Sequence, residues 1–121
     1  MSKRILVIED QEDNRQIVRD LLTSAGYDLI EAVTGEDGVS MAETQRPDLI
    51  LMDVQLPGLD GHEATRRIKA NHALRHIPII VVTSYALSGD EAKAREAGCD
   101  DYVAKPFSPR ELLAKIRQHL S

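Results

Sequence analysis

Five short apolar runs recur along the chain, each followed by a stretch of helical periodicity, and this alternation leaves few folds open. The runs are Arg4 to Glu9, Asp28 to Ala32, Leu49-Ile50-Leu51-Met52 closing on Asp53, Pro78 to Thr83, and Tyr102 to Ala104. Apolar side chains at successive positions suit strands covered on both faces, as in a parallel sheet. The intervening segments predict five helices. The first carries Ile17, Val18, Leu21, Leu22 and Ala25 on one face and ends at Gly26. The second spans Gly35 to Thr44, with Gly38 and Ala42 allowing close approach to the sheet, and Pro47 blocks its continuation. The third runs from Gly61 to Asn71 with Ala64 and Ile68 one turn apart.

The fourth helix, Ser88 to Ala97, opens on a Ser88/Glu91 capping box, and its apolar face is alanine alone, which predicts weak anchoring. The fifth has the clearest start, with Ser108 as N-cap, Pro109 at the first position and Glu111 completing the box. Leu112, Leu113, Ile116 and Leu120 form its buried stripe. Five βα units in 121 residues specify an α/β fold, a doubly wound parallel sheet with helices on both faces. The flavodoxin-like strand order 2-1-3-4-5 fits, because strands one and three are the most apolar and strand two alternates as an edge would. A single domain over 1–121 is expected, with no output domain.

Composition narrows the function classes. A hydrophobic share of 42%, a charged share of 29% and a net charge of −5 suit a soluble globular domain and argue against nucleic-acid binding, which needs a concentrated basic surface. The basic cluster Arg66-Arg67 with Lys69 reads as a solvated helix face. Cys99 is the sole cysteine, so no internal disulfide is possible, and it reads as a small buried hydrophobe beside Asp100 and Asp101. No segment has the length of a membrane span or a signal sequence, so a cytoplasmic location with no membrane contact is expected. His72 and His76 lie four apart, but Pro78 and the loop-like residues between argue against a metal pair, and none of the four histidines has an evident triad.

Chemistry gathers at the strand ends. In this strand order the crevice between strands one and three brings Glu9, Asp10 and Asp53 together. Like charges about 4 Å apart repel by about 4 kcal/mol at an effective dielectric near 20. A cation offsets such a cluster, and carboxylates with a backbone carbonyl are the ligands Mg²⁺ prefers. Lys105 supplies a fixed positive charge. A carboxylate between a magnesium site and a lysine is equipped to attack a phosphoryl group, and Thr83 is placed to hydrogen-bond the product.

The motifs ILVIED, DLILMDVQLPGLDG, PIIVVTS and YVAKPF together resemble the receiver domains of two-component response regulators, over the whole chain. The resemblance implies that Asp53 accepts a phosphoryl group from a sensor histidine kinase or histidine phosphotransfer protein. It implies that Glu9, Asp10, Asp53 and the backbone carbonyl of Gln55 hold Mg²⁺, and that Lys105 and Thr83 complete the catalytic set. Thr83 and Tyr102 match the switch positions, and the Lys105-Pro106 bond is often cis in such domains. Gln55, Ser84 and Tyr85 flank the phosphoryl group, and the bulk of Tyr85 is expected to slow attacking water. Phosphorylation would re-form the helix 4–strand 5–helix 5 face for a downstream protein, for onward phosphotransfer or for a homodimer. The narrower resemblance is to single-domain regulators of the DivK kind, which implies a phosphorelay signalling protein that catalyses only its own phosphorylation and slow dephosphorylation.

Two other classes compete. A magnesium-dependent aspartyl-phosphate phosphatase of the haloacid-dehalogenase type wants a second acid two residues after the nucleophile, where Gln55 stands. A flavodoxin wants a hydroxyl- and glycine-rich loop after strand one, where Glu9-Asp10 would repel a phosphate.

Overall fold

The computed structural model describes residues 2–84 and 89–120. Strands β1 (Arg4–Ile8), β2 (Asp28–Ala32), β3 (Leu49–Asp53), β4 (Ile79–Thr83) and β5 (Asp101–Ala104) alternate with helices α1 (Glu12–Ser24), α2 (Gly35–Gln45), α3 (Gly61–Ala70), α4 (Asp90–Ala97) and α5 (Pro109–Leu120). The strands form one sheet in the order β2-β1-β3-β4-β5, all parallel. Burial follows that order: every residue of β3 and β4 is buried, whereas β2 and β5 have partly exposed positions, as edges do.

Side-chain alternation divides the core into two layers. Leu6, Ile8, Ile50, Met52, Ile79, Val81 and Tyr102 pack with Ala42, Ala64, Ile68 and Ala94 beneath α2, α3 and α4. Ile5, Val7, Leu49, Leu51, Ile80 and Val103 pack with Leu22, Leu112 and Ile116 beneath α1 and α5. Each fully buried Leu or Ile contributes about 1.5–3 kcal/mol of hydrophobic stabilisation.

Local signals place the helix ends. Thr34 caps α2 by accepting from the Asp37 amide, Asp60 caps α3 by accepting from Glu63, and Ser108 caps α5 by accepting from Glu111. Gly26 and Gly98 stand at helix C-termini with φ of 93° and 104°, where a side chain would be strained. Two expectations are corrected. Ile17 is 59% exposed: Leu22 occupies the centre of the α1 contact, and Ile17 lies at its rim facing α5. Helix α4 begins at Asp90 with Gly89 as N-cap at φ 75° and no side-chain cap, and Ser88 lies outside the described residues. Its buried positions are Ala94 and Ala97, as expected, and also Asp90.

Candidate phosphoacceptor site

Three strand ends and one loop build the site. Asp53 ends β3, opposite Val82 in the β3–β4 register, and the residue is 6% exposed. Glu9 directly follows β1, and its backbone amide donates to the carbonyl of Ala32 on β2. Carboxylate oxygens of Glu9, Asp10 and Asp53 all lie within 4.8 Å of one another. Lys105, one residue past β5, reaches across with Nζ 3.0 Å from Glu9 Oε1 and 3.4 Å from Asp53 Oδ1. It is anchored by its own amide, which donates to the Thr83 carbonyl at 2.7 Å, and the Lys105-Pro106 bond is cis.

Glycine makes the close packing possible. The α3 N-terminus runs under the end of β3, and the Gly61 amide donates to the Val54 carbonyl. A Cβ at Gly61 would collide with the Asp53 carbonyl, so any other residue would push α3 away from the site.

The electrostatics are unequal among the acids. Burial and the Glu9 charge push Asp53 up to about 6, against the pull of Lys105. Burial also opposes ionisation of Glu9, but the Gln11 amide and Lys105 outweigh it and hold that carboxyl below its usual range. Burial would depress Lys105, yet Asp53 and Glu9 more than compensate and raise it. Glu9 and Lys105 thus favour each other's charged forms, while the charge of Asp53 is opposed.

Asp10, Gln11, Asn14, Asp53, Gln55, Ser84 and Lys105 line an open polar cavity of about 290 Å³. The Gln55 amide also donates to the Asp53 carboxylate, while its side chain is exposed. Beside this lies an apolar cavity of about 510 Å³ between α1 and α5, bordered by Ile17, Val18, Phe107, Pro109 and Leu112 and reaching Asp53. Thr83 ends β4 fully buried, and Ser84 beside it is exposed. Tyr102 does not sit at this rim. It pairs with Val81 in the β4–β5 register, lower in the sheet, and is packed inside. Tyr85 lies outside the described residues.

Sequence reasoning missed three contributors. The Gln11 amide fixes Glu9, Arg15 donates to the Glu9 carbonyl at 2.8 Å, and Asn14 lines the cavity; all three follow from the first helix beginning just past Glu9. Two histidines also have carboxylate partners: His62 contacts Asp90, and His119 contacts Asp101, which Lys115 also holds. Cys99 is buried, and burial raises its thiol's pKa, in keeping with an inert hydrophobe. No helix among the described residues is long and apolar enough to cross a membrane.

The comparisons with known proteins agree with this geometry. The family model described as "Response regulator receiver domain" matches residues 5–117. The polar-differentiation response regulator DivK of Brucella anthropi is 42% identical over 120 residues, covering 99% of this chain and 98% of that protein. DivK of Brucella melitensis is 41% identical with the same coverage. Among solved structures, the receiver domain of sensor histidine kinase PA1611 from Pseudomonas aeruginosa, with a magnesium ion coordinated in its active site cleft, superposes with a TM-score of 0.93 at 41% identity, covering 99% of this chain and 98% of that one. The chemotaxis protein CheY4 of Vibrio cholerae superposes at 0.92 with 26% identity, covering 99% of this chain and 100% of that one. This chain belongs to the response regulator receiver domain family, the signalling regulators of two-component systems, and is DivK-like within it.

Proposed function

We propose that Asp53 is the phosphoacceptor of a two-component phosphorelay and that its modification switches the protein's surface. The observation that carries this is the buried Asp53 carboxylate, gathered with the Glu9 and Asp10 oxygens and contacted by the Lys105 ammonium, which also holds Glu9. The donor is the phosphohistidine of a sensor histidine kinase or histidine phosphotransfer protein. An Asp53 oxygen forms the new bond to phosphorus as the phosphorus–nitrogen bond breaks, and the imidazole leaves with the bonding pair and takes up a proton. Lys105 offsets charge on the phosphoryl oxygens, and Thr83 offers its hydroxyl once the group is attached.

The acid cluster suits Mg²⁺: its donors are all hard oxygens, and their closeness disfavours the charge of Asp53 unless a cation is added. Glu9, Asp10, Asp53 and the Gln55 carbonyl would hold it. When bound there, it supplies charge neutralisation for phosphoryl transfer. The apolar cavity beside exposed Ile17 supports approach of the donor protein along α1 and α5. The signal then leaves through Thr83, Tyr102 and the α4–β5–α5 face to a protein target, a further phosphotransfer partner or a second copy. The likeness to DivK, a response regulator by name, supports a regulator that works through such protein contacts.

Incubation with a small phosphodonor and Mg²⁺, followed on a phosphate-affinity gel, tests the assignment. A retarded band is expected for the wild type and none for Asp53→Asn or without Mg²⁺. Labelling that survives in Asp53→Asn would reject it, and rapid turnover without accumulation would favour a phosphatase.

A further inference from the structure

A second buried polar cluster lies beneath α4, away from the acidic rim. His62, on the first turn of α3, places Nε2 2.9 Å from Oδ1 of Asp90, the first residue of α4. His62 is 9% exposed, Asp90 7% and Tyr102 9%. Nδ1 of His62, Oδ2 of Asp90 and the hydroxyl of Tyr102 are the buried side-chain atoms, among the described residues, that have no hydrogen-bond partner. Buried polar atoms without partners are rare and call for a physical reason. Here an unfilled acceptor, Asp90 Oδ2, and an unfilled donor, the Tyr102 hydroxyl, occur in the same layer of the core. They are close enough for the Asp90 charge to disfavour ionisation of Tyr102, second only to burial.

We propose that Asp90, oriented by His62, is the acceptor for the hydroxyl of Tyr102, which already lies inside, once α4 closes the remaining gap in the switched state. This rests on the switch reading of Tyr102 given above and adds the residues that read it. His62 engages one carboxylate oxygen, which fixes the carboxylate and leaves the other, also buried, free to accept. A tyrosine hydroxyl donating to a carboxylate makes one of the stronger hydrogen bonds available to it. Once made, that bond joins β5 to α4 through Asp90 and to α3 through His62. Apart from Asp90, the buried face of α4 is only Ala94 and Ala97, so little packing resists the small adjustment that closes the bond. His62 is therefore a positioning residue: it touches no reacting atom, and it sets how firmly α4 is held when the switch is on.

A ligand that favours the switched state binds more tightly to a protein already biased toward it. Titration of ¹⁵N-labelled protein with beryllofluoride and Mg²⁺, a phosphoryl analogue, reads that bias as apparent affinity. His62→Leu and Tyr102→Phe are each expected to weaken the analogue three- to tenfold, and the double variant to be no weaker than the weaker single. His62→Gln, which keeps an N–H donor for Asp90, should recover most of the wild-type affinity. Asp90→Ala, which removes the acceptor itself, reads the same coupling to Tyr102 should His62→Leu fail to fold. Additive losses in the double variant, or wild-type affinity in His62→Leu, would overturn the proposal. Failure of the wild type to bind the analogue would instead bring down the phosphoacceptor reading, and this inference with it.

Discussion

Asp53 releases its proton near pH 6, well above its ordinary 3.8, because burial and the Glu9 charge oppose its ionisation more than Lys105 assists it. Without metal, that displacement corresponds to about 3 kcal/mol at 1.36 kcal/mol per pH unit. The sign follows from linkage. A carboxyl whose folded pKa is raised contributes stability below its unfolded pKa, and that stability is lost as pH rises through the folded value. In the presence of a chelator, the wild type should therefore lose stability between about pH 4 and 7 relative to Asp53→Asn. The variant should be more stable by up to about 3 kcal/mol at pH 7, with the two converging near pH 4. Urea unfolding of both proteins across that range checks this; a constant difference between them would show that Asp53 is not the titrating group.

Among the elements, α4 differs in what holds it. The other helices bury Leu or Ile, or pack close through glycine, whereas α4 buries Ala94, Ala97 and the polar Asp90. A buried Ala side chain contributes far less hydrophobic stabilisation than a buried Leu, so local opening should be cheapest here. Amides of Ala94 to Ala97 should exchange with deuterium at least tenfold faster than those of Leu112 to Ile116 in α5. Hydrogen exchange read by NMR measures both, and equal protection would mean that α4 opens only with the whole molecule. The alanine face was legible, because the helix offers no larger apolar side chain to bury. Other features of the elements were not. The periodicity of Ile17 is that of a buried residue, but periodicity cannot say where the covering surface ends, and Ile17 falls beyond it. Glu9 and Asp53 were legible because each closes an apolar run, so strand order alone brings them together. His62 and Asp90 stand 28 positions apart on two helices, and no local spacing marks them as partners.

At the scale of the whole molecule, the parallel sheet gathers the ends of β1, β3, β4 and β5 on one edge, so a ligand there touches elements that are distant along the chain. A cation held by Glu9, Asp10 and Asp53 would join β1 to β3 at the sheet's centre, and it would bind only where the fold has already brought them together. Such a ligand stabilises the folded state by RT ln(1 + [L]/Kd), which is about 2.7 kcal/mol at a hundredfold excess over Kd. For a domain of this size each kcal/mol raises Tm by roughly 3–6 °C. Added Mg²⁺ should thus raise Tm progressively at pH 7.5, with no plateau once the site is filled, because the unfolded chain cannot compete. Protons oppose it. A larger share of Asp53 is protonated in the metal-free fold near pH 5.5 than at pH 7.5, so the same Mg²⁺ concentration should give a smaller rise. Glu9→Gln removes one ligand charge and also weakens the hold on Lys105, so it should flatten the response at both pH values. Differential scanning calorimetry of wild type and Glu9→Gln with Mg²⁺ at the two pH values, with Na⁺ at matched ionic strength as the reference, tests all three statements. An equal rise with Na⁺, or an undiminished one in Glu9→Gln, would place the cation somewhere other than this cluster.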